Sequence, residues 1–553
     1  MTSSRQPPTP GPARSAPALP LPAATPLQAF LETAGRLPSA PFIRYFDRTL
    51  TFAEVDRLSS ALLSGLRSCG ITRGDRVALF LQNDPDFAIA QLATWKAGAA
   101  CVSINPMLRG QELRHILVDS GATVLVTLDD LWHDVGREII TETGVKAVLV
   151  TEPSAWTSAL PATTRPSAEV PGIRLESMPA LLTEHAGATA DSDIAGLGDV
   201  ALICYTSGTS GRPKGVATTH RNIAYSAEVY RTWMSIDEND VFLGGAPIFH
   251  VTGLIAGLAL AYCSGMSMVL FHRFDPGICL QQAAVHRPTF TIMATTAFQA
   301  LVNHPDARTA AVRSLTKVYS GGAPVTAAID GQWRQLTGSG IRNVYGLTET
   351  TGPTHAVPLD CAAPIDGETG AMAVGMPLPG VEARLVDPDR GTESATGEAG
   401  ELWIKGPMVM GGYWHLPEAT AEAFQDGYFR TGDVAKQDAD GWYFVIDRVK
   451  DMINASGYKV WPREVEEFLL QHPDIVEAAV VGIPDAYRGE SVKAFVVTRA
   501  ASALGPEEVI AFAKRQMAAY KYPRDVEIVA SLPKTASGKV LRRELRAPAE
   551  ETA

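Results

Sequence analysis

Apolar runs that are typical of buried strands alternate with amphipathic helical segments over much of the first 450 residues. Segment 84–98 is typical of a helix, because its large apolar residues approximate helical spacing. Strand-like runs lie at RVALFL (76–81), CVSINP (101–106), TVLVTL (123–128), AVLVTE (147–152) and DVALICY (199–205). This alternation predicts an α/β fold in which a parallel sheet is layered with helices.

The pattern changes near residue 380. VEARLVDP (381–388), GELWIKGP (400–407) and GWYFVIDR (441–448) are short alternating strands between Gly, Pro and Asp turns, which predicts a small β-barrel or sheet. Beyond Arg448, helix-like segments at 462–473 and 506–520 and strand-like runs at 476–484 and 492–499 predict a last α+β unit.

The chain of 553 residues is too long for one compact core. We therefore predict a large N-terminal domain over 27–447, with layered sheets and helices and a small β-barrel-like subdomain, and a small α+β domain over 448–546. Residues 1–26 are rich in Pro, Ala and Ser and predict a disordered tail; 547–553 form a second tail.

One uncharged segment, VTGLIAGLALAYCSGMSMVLF (251–271), is long enough to cross a bilayer. The CSG in its middle indicates a break, and its flanks lack clustered Lys and Arg residues and aromatic anchors. A buried helix, turn and strand is the favoured interpretation, so no transmembrane segment is predicted.

Charge and cysteine content narrow the class of protein. The net charge of -12 argues against a nucleic-acid-binding surface. From Arg448 onwards there are 16 Lys and Arg against 15 Asp and Glu, so this part is nearly neutral, which suits a lid over anionic ligands. The six cysteines are scattered without a CxxC pair, which indicates neither disulfides nor zinc and favours a cytoplasmic location.

The stretch CYTSGTSGRPKGVATTH (204–220) combines glycines, hydroxyl residues and Lys214 in one loop. Backbone N–H groups, hydroxyls and a lysine can together hold phosphate. The loop departs from the G-x-x-x-x-G-K-[ST] motif, because Gly215 and not a hydroxyl residue follows the lysine. Taken alone it predicts phosphate binding, with a flexible surface loop as the alternative.

Further along, VYSGGAPV (318–325) and NVYGLTETTG (343–352) place small residues near an aromatic ring, a hydroxyl and a carboxylate. Such a set can stack a base, hold a phosphate and ligate Mg²⁺. In DGYFRTGDVA (426–435), Asp433 follows a glycine turn and is suited to accept two ribose hydroxyls.

Five motifs now stand in order along the chain. They are YTSGTSGRPKG (205–215), YGLTET (345–350), YFRTGD (428–433), DRVKDMINASGYKVWPREVE (447–466) and PKTASGKVLRREL (533–545). In order and spacing the chain resembles the adenylate-forming superfamily of acyl- and aryl-CoA synthetases, peptide-synthetase adenylation domains and firefly luciferase. The resemblance covers roughly residues 27–546.

The resemblance implies an ATP site. The β- and γ-phosphates would be held by Thr206, Ser207, Gly208, Thr209, Ser210, Gly211 and Lys214. The adenine would be flanked by Gly322, Ala323, Tyr345 and Gly346. Asp433 would bind the ribose hydroxyls, with Arg448 nearby.

The resemblance also implies which residues take part in catalysis. Thr348 would contact the α-phosphate, Glu349 would bind Mg²⁺, and Lys539 would reach the α-phosphate and the substrate carboxylate from the C-terminal lid. An acyl-adenylate forms and pyrophosphate leaves. The lid then turns about a hinge at Lys450, or with Asp451 sharing the motion, and brings Gly457 to the site for attack by a thiolate.

The family's acid-binding motif falls at GGAPIFHVTGL (244–254). It holds Phe249 and His250 and no acidic residue, which disfavours an α-amino acid; we expect His250 to lie beside the carboxylate or to gate the pocket. Small residues such as Ala297 and Gly352 suggest room for a medium-to-long fatty acid or a bulky alicyclic or aromatic carboxylate.

The acceptor predicted from the resemblance is coenzyme A, since SGYKVWPREVEE is most similar to stand-alone acyl-CoA synthetases. Two alternatives stay open: an acyl-AMP ligase that loads a carrier protein, and a catalytically inactive relative that only binds nucleotide or a partner. The expected ligands are therefore a small carboxylic acid, ATP, Mg²⁺ and coenzyme A. A homodimer and a monomer are both compatible with the sequence.

Overall fold

The computed structural model describes residues 17–162, 169–188, 192–206, 212–308, 310–323, 325–455, 458–485, 489–499, 502–534 and 540–546. Two sheets layered with helices dominate the N-terminal part, and two smaller sheets follow. This arrangement confirms the predicted α/β class with a large N-terminal and a small C-terminal domain.

The first large sheet has seven strands. In spatial order they are Arg174–Ser177, Ala147–Thr151, Val124–Leu128, Arg76–Phe80, Ala100–Ser103, Val200–Thr206 and Lys214–Thr219. All neighbours pair in parallel except the last two, which pair antiparallel. The five strand-like runs of the first 205 residues all lie here, so the predicted parallel sheet is confirmed.

The second large sheet has nine strands. In spatial order they are Met376–Pro377, Gly352–Ala356, Arg342–Leu347, Lys317–Ser320, Phe290–Met293, Val241–Leu243, Ser267–Leu270, Pro41–Tyr45 and Arg48–Thr51. The six central strands are parallel, and the strands beyond them at both edges are antiparallel.

Helices cover these sheets. The longer ones are Pro26–Arg36, Phe52–Ser68, Pro85–Lys96, Gly110–Ser120, Met178–Glu184, His220–Trp233, Pro276–His286, Thr295–Asn303, Ala327–Thr337 and Pro417–Ala423. Pro85–Lys96 differs from the expected amphipathic helix, because all twelve residues are buried. Trp95 donates to the Ala201 carbonyl in the seven-stranded sheet (2.9 Å), and Lys96 Nζ lies 2.6 Å from Asp56 Oδ1 in helix Phe52–Ser68. The helix is therefore enclosed on all sides.

The uncharged segment 251–271 forms a helix from Val251 to Ser264, a turn at Gly265 and a strand, Ser267–Leu270. The central part, Leu254–Ala259, is a π-helix. The predicted helix, turn and strand is confirmed. Within the described ranges, no helix has the length and apolar character that a membrane span requires.

The third sheet, antiparallel throughout, is the predicted small β-subdomain. Its strands are Glu382–Val386, Ala399–Lys405, Phe424–Gln425, Tyr428–Gln437 and Tyr443–Arg448. The fourth sheet belongs to the C-terminal domain, with strands Ile453–Ala455, Tyr458–Val460, Ile475–Asp485, Gly489–Thr498 and Asp525–Ile528. Helices Pro462–Leu469 and Pro506–Gln516 accompany it, as predicted, and helix Arg542–Arg546 follows.

The N-terminal tail is shorter than predicted at its C-terminal end. Thr25 is buried and caps helix Pro26–Arg36 by accepting from the Gln28 N–H, and Leu19 packs against the main core. Apolar contacts and a capping box stabilise a segment that composition alone assigned to the tail. Residues 1–16 and 547–553 lie outside the described residues.

Candidate active site

The glycine-rich stretch connects two antiparallel strands, since Thr206 at the end of Val200–Thr206 pairs with Lys214 at the start of Lys214–Thr219. A nucleotide P-loop instead leads from a strand into a helix. Helix Gly110–Ser120 braces the hairpin: His115 Nε2 lies 3.0 Å from the Pro213 carbonyl oxygen. Five predicted phosphate ligands, Ser207, Gly208, Thr209, Ser210 and Gly211, lie outside the described residues.

Lys214, Tyr413 and Glu349 form a group that we call the Glu349 cluster. The Lys214 ammonium lies 5.1 Å from the centre of the Tyr413 ring. The Tyr413 hydroxyl donates to Glu349 Oε1 at 3.1 Å, and the Met410 N–H donates to the Glu349 carbonyl at 2.8 Å. One tyrosine thus connects Lys214, at the end of the predicted phosphate loop, to the predicted metal ligand.

Tyr413 was not predicted from the sequence. It stands 64 positions from Glu349, and no local pattern relates the two. Its position is fixed by backbone pairing: Val216 forms an antiparallel bridge with Tyr413, and the Trp414 N–H donates to the Gly215 carbonyl at 2.7 Å.

Burial raises the pKa of Glu349, while the Tyr413 hydroxyl and the charge on Arg448 lower it. A half-buried carboxylate with few donors is suited to bind a cation. Mg²⁺ prefers one or two carboxylates plus phosphate oxygens, so Glu349 fits such an ion beside bound phosphate. Over the described residues, no group of three or more His, Cys, Asp and Glu side chains forms a ready metal cage.

A single hairpin carries four of the predicted residues. Strands Arg342–Leu347 and Gly352–Ala356 pair antiparallel, and Thr348 and Glu349 lie in the turn between them. Thr350 stabilises the turn by accepting from the Leu347 N–H at 2.9 Å. Only glycine fits at position 346, because a Cβ on Gly346 would stand 1.8 Å from the Gly352 carbonyl oxygen.

Tyr345, Asp433 and Arg448 form a second group, the Asp433 triad. The Tyr345 hydroxyl donates to Asp433 Oδ2 at 2.6 Å, and Arg448 Nε lies 2.8 Å from Asp433 Oδ1. Asp433 and Arg448 face each other in the register of strands Tyr428–Gln437 and Tyr443–Arg448. The carboxylate is buried and held from both sides, so its plane is fixed.

Burial and neighbouring charges shift the pKa values of side chains in and beside the triad. Burial raises the pKa of Tyr345 well above its usual range, and the neighbouring Asp433 carboxylate raises it further. Burial lowers the pKa of the Arg448 guanidinium, but Asp433 together with Tyr345, Asp451 and Glu349 outweighs it, so that the pKa is raised. His355 packs beside Tyr345, with ring centres 5.9 Å apart, and burial lowers its pKa to about 3.

Gly322 and Ala323 follow strand Lys317–Ser320, the parallel neighbour of the strand that carries Tyr345. Thr295 Oγ1 lies 3.3 Å from the Ala323 carbonyl oxygen and so fixes this turn. The carboxyl ends of both strands meet at one edge of the sheet, where α/β folds bind ligands.

His250 stands directly before the helix that begins at Val251. Its ring packs on Phe249, with centres 5.0 Å apart, and burial lowers its pKa to about 4. Among the hydrogen bonds of the described residues, none joins His250 to Glu349 or Asp433. The loop before it is held through its backbone, as Ile248 donates to Asn83 Oδ1 (2.9 Å) and Phe249 accepts from Ser103 Oγ (2.7 Å).

Lys450 is exposed within the short 3₁₀ turn Val449–Asp451. Its neighbour Asp451 is buried and pairs with Arg546 at 2.9 Å. The other predicted residues of the C-terminal domain, Gly457 and Lys539, lie outside the described residues. The chain on either side of 535–539 is joined, because Lys534 and Val540 form an antiparallel bridge.

Comparison with known proteins identifies the class. The AMP-binding enzyme family matches residues 30–414, and the AMP-binding enzyme C-terminal domain matches residues 464–539. The chain belongs to this family of AMP-binding enzymes, as the resemblance of its motifs to the adenylate-forming superfamily indicated.

Individual relatives match over nearly their whole length. A long-chain-fatty-acid–CoA ligase of Bacillus subtilis is 35% identical over 551 residues, 95% of each chain. A feruloyl-CoA synthase of Amycolatopsis is 35% identical and covers 92% of this chain and 96% of its own. Among solved structures, ATP-bound MatB from Rhodopseudomonas palustris superposes with a TM-score of 0.84 at 29% identity, covering 95% and 98% of the chains. The same protein in its apo form gives a TM-score of 0.74 at the same identity and coverage.

Proposed function

We propose that the protein is an ATP-dependent acid–thiol ligase that acts on a hydrophobic carboxylic acid. It forms an acyl-adenylate with release of pyrophosphate and then transfers the acyl group to coenzyme A, giving acyl-CoA and AMP. One observation carries the proposal. The hairpin 342–356 contributes Tyr345 to the Asp433 triad and Glu349 to the Glu349 cluster, so one rigid turn joins a ribose-type site to a phosphate-type site.

In the nucleotide site, Asp433 accepts the ribose hydroxyls while Tyr345 and Arg448 hold its carboxylate. Each carboxylate oxygen has a further lone pair after these contacts, so ribose can bind without displacing them. Gly322, Ala323, Tyr345 and Gly346 flank the adenine, and Thr206 to Lys214 bind the departing pyrophosphate.

The reaction joins two anions, so positive charge has to offset their repulsion. Mg²⁺, held by Glu349 and phosphate oxygens, would supply Lewis-acid stabilisation of the α-phosphate. Lys214 stands on the pyrophosphate side, held by the Tyr413 ring, and Thr348 at the hairpin tip reaches the α-phosphate. Lys539 supplies the second cation at the α-phosphate and the substrate carboxylate.

The orientation of the C-terminal domain is that of the adenylate-forming step. The greater similarity to ATP-bound MatB than to its apo form supports this assignment. We place the boundary between the two domains between Asp447 and Arg448, so that the C-terminal domain spans 448–546, with the hinge at Lys450. Rotation about the hinge withdraws Lys539 and brings Gly457 to the thiol.

The acid is hydrophobic. Relatives named for a long-chain fatty acid and for ferulate are each 35% identical to the chain, so aliphatic and aryl acids both stay within the proposal. His250 is neutral at physiological pH because of its lowered pKa, and it can hydrogen-bond the carboxylate without a permanent charge. Coenzyme A is the acceptor, and the cytoplasm is the proposed location.

Acid-dependent pyrophosphate exchange tests the proposal. Fatty acids of six to eighteen carbons, benzoate, ferulate and alicyclic acids are each offered with ATP and labelled pyrophosphate. Exchange with hydrophobic acids and thioester formation with coenzyme A are expected. Absence of exchange with every acid would overturn the enzymatic assignment, and exchange without coenzyme A thioester would favour a carrier protein as acceptor.

A further inference from the structure

Charged side chains cluster where the C-terminal domain meets the N-terminal domain. We call them the Asp447 network: Asp447, Asp451, Arg463, Glu466, Arg542 and Arg546. Arg542 is central. Its Nη2 lies 2.8 and 2.7 Å from the two oxygens of Glu466, and its Nη1 lies 3.1 Å from Asp447 Oδ1 and 3.4 Å from Asp451 Oδ2.

Three hydrogen bonds of this region cross the proposed hinge at Lys450. Asp447 and Val445 lie before the hinge, on strand Tyr443–Arg448, and their partners lie after it. Arg542 Nη1 donates to Asp447 Oδ1, the Arg463 N–H donates to Asp447 Oδ2 at 2.8 Å, and Arg463 Nη1 donates to the Val445 carbonyl at 2.7 Å. A rotation about Lys450 separates these partners, whereas Arg542 keeps Glu466.

The crossing contacts are buried. The Asp447 side chain is only 2% exposed and that of Arg542 only 19%. A buried carboxylate loses its hydration and depends on its donors, so separating Arg542 from Asp447 has a free-energy cost unless new partners replace it. The three contacts that cross the hinge therefore stabilise one orientation of the C-terminal domain.

Both ends of the Arg542–Asp447 pair adjoin catalytic parts of the proposed site. Asp447 directly precedes Arg448, which holds Asp433. Arg542 follows the bridge between Lys534 and Val540, the two described residues that flank 535–539 in the sequence, and the Leu541 N–H donates to the Pro533 carbonyl at 2.8 Å. The described segments around Lys534 and Val540 are thus connected, through one ion pair, to the strand that carries Arg448.

From these contacts we infer that Arg542 is a positioning residue for adenylate formation: its ion pair with Asp447 holds the C-terminal domain in the orientation of the adenylate-forming step and must separate before the thioester step. The inference rests on the proposed two-step function. It predicts that loss of the pair slows the first half-reaction and leaves the second unaffected or faster.

The test separates the half-reactions. Acid-dependent pyrophosphate exchange measures adenylate formation, and release of AMP from supplied acyl-adenylate with coenzyme A measures thioester formation. Asp447→Asn is the decisive variant, because it leaves every contact within the C-terminal domain in place. We expect about a tenfold loss of exchange and a thioester rate within twofold of the wild type.

Arg542→Gln should give the same pattern, and the double variant should be no slower in exchange than either single variant, since both remove one interaction. Lys539→Ala serves as the reference variant, because its pyrophosphate exchange should show the rate that remains when the first step is lost. The matched control is Arg546→Gln, on the same helix, whose partner Asp451 lies on its own side of the hinge; both of its rates should stay at the wild-type level.

Equal losses in the two half-reactions, or additive losses in the double variant, would overturn the positioning role and leave only a structural one. Unchanged exchange in Asp447→Asn would overturn it as well. If the wild-type protein shows no exchange with any acid, the proposed function itself fails, which is a different result from a change in the ratio between the two steps.

Discussion

The nucleotide side and the acid side of the proposed site are held by different kinds of contact. On the nucleotide side, functional side chains bind one another: Asp433 is fixed by Tyr345 and Arg448, and Glu349 by Tyr413. On the acid side, the loop before His250 is fixed through its backbone by Asn83 and Ser103.

Close packing adds to the backbone contacts on the acid side. A Cβ on Gly245 would stand 2.1 Å from Met293 Sδ, so the loop lies directly against the neighbouring strand. Phe249 is buried, and His250 is kept neutral by burial.

This difference fits the match of the chain, over nearly its whole length, to relatives named for acids as different as a long-chain fatty acid and ferulate. The chemistry of ATP requires particular charged groups, whereas an apolar acid requires a volume that many sets of residues can enclose. If the two sides are independent, a variant on the nucleotide side should change the kinetics for ATP alone, and a variant on the acid side should change those for the acid alone.

Asp433→Ala should have the largest effect. It removes the ribose acceptor and leaves the buried Tyr345 hydroxyl and Arg448 guanidinium without their partner, so we expect the KM for ATP to rise about a hundredfold. The KM for the acid, measured at saturating ATP, should change by less than about twofold. Steady-state kinetics with one aliphatic and one aryl acid provide both values.

Asp440→Ala is the matched control, because Asp440 lies exposed in the turn that follows strand Tyr428–Gln437 and should leave both KM values unchanged. An equal rise in the KM for the acid in Asp433→Ala would show that the two sides are not independent, and the comparison would fail.

Local patterns were sufficient for five strands of the seven-stranded sheet, and the motifs that predict the nucleotide residues are also local. Runs such as RVALFL and DVALICY form strands within one or two residues of the prediction, and Tyr345, Glu349 and Asp433 stand in motifs only a few residues long. These features depend on neighbours in the sequence, which is why the sequence alone could indicate them.

Long-range contacts were not predictable in this way. Tyr413 reaches Glu349 over 64 positions and Arg542 reaches Asp447 over 95, and nothing in either segment specifies its partner. Helix Pro85–Lys96 was expected to be amphipathic, but tertiary packing buries it on every side. The shape of a pocket for the proposed acid would depend on such packing, so it could not be predicted from local patterns.

Tyr413 provides the second test, because its two contacts can be removed separately. Tyr413→Phe loses the hydrogen bond to Glu349 and keeps the ring beside Lys214; we expect the Mg²⁺ concentration for half-maximal activity to rise about tenfold, with the KM for ATP unchanged. Tyr413→Leu should in addition raise the KM for ATP about threefold, through the lost cation–π contact. Titrations of Mg²⁺ and of ATP measure the two effects.

The control is Tyr428→Phe, which removes a similar hydroxyl-to-carboxylate hydrogen bond, to Glu382 at 3.0 Å, in the third sheet. It should behave like the wild type. If Tyr413→Phe and Tyr413→Leu change Mg²⁺ and ATP dependence to the same extent, the two contacts do not act separately on metal and phosphate.

Substitution of His250 should change the kinetics least, and it tests the acid side. His250→Gln keeps a neutral hydrogen-bonding side chain, so we expect the KM for the acid to rise only about fivefold and the KM for ATP to stay unchanged. Burial lowers the pKa of His250 to about 4, so the wild-type and His250→Gln enzymes should have the same pH profile of kcat/KM between pH 5.5 and 8. A limb near pH 6.5 that disappears in the variant would contradict a neutral, buried histidine.

The lowered pKa of His250 also determines the direction in which the free energy of unfolding changes with pH. In the unfolded chain a histidine takes up a proton near pH 6.5, whereas folded His250 does so only near pH 4. Its contribution to the free energy of unfolding is therefore complete above pH 6.5 and falls as the pH drops towards 4, by about 2 kcal/mol at pH 5. Urea unfolding at pH 7.5 and pH 5 should show a smaller loss of stability on acidification in His250→Gln than in the wild type. An equal loss in both would mean that His250 takes up a proton in the folded protein as readily as in the unfolded chain.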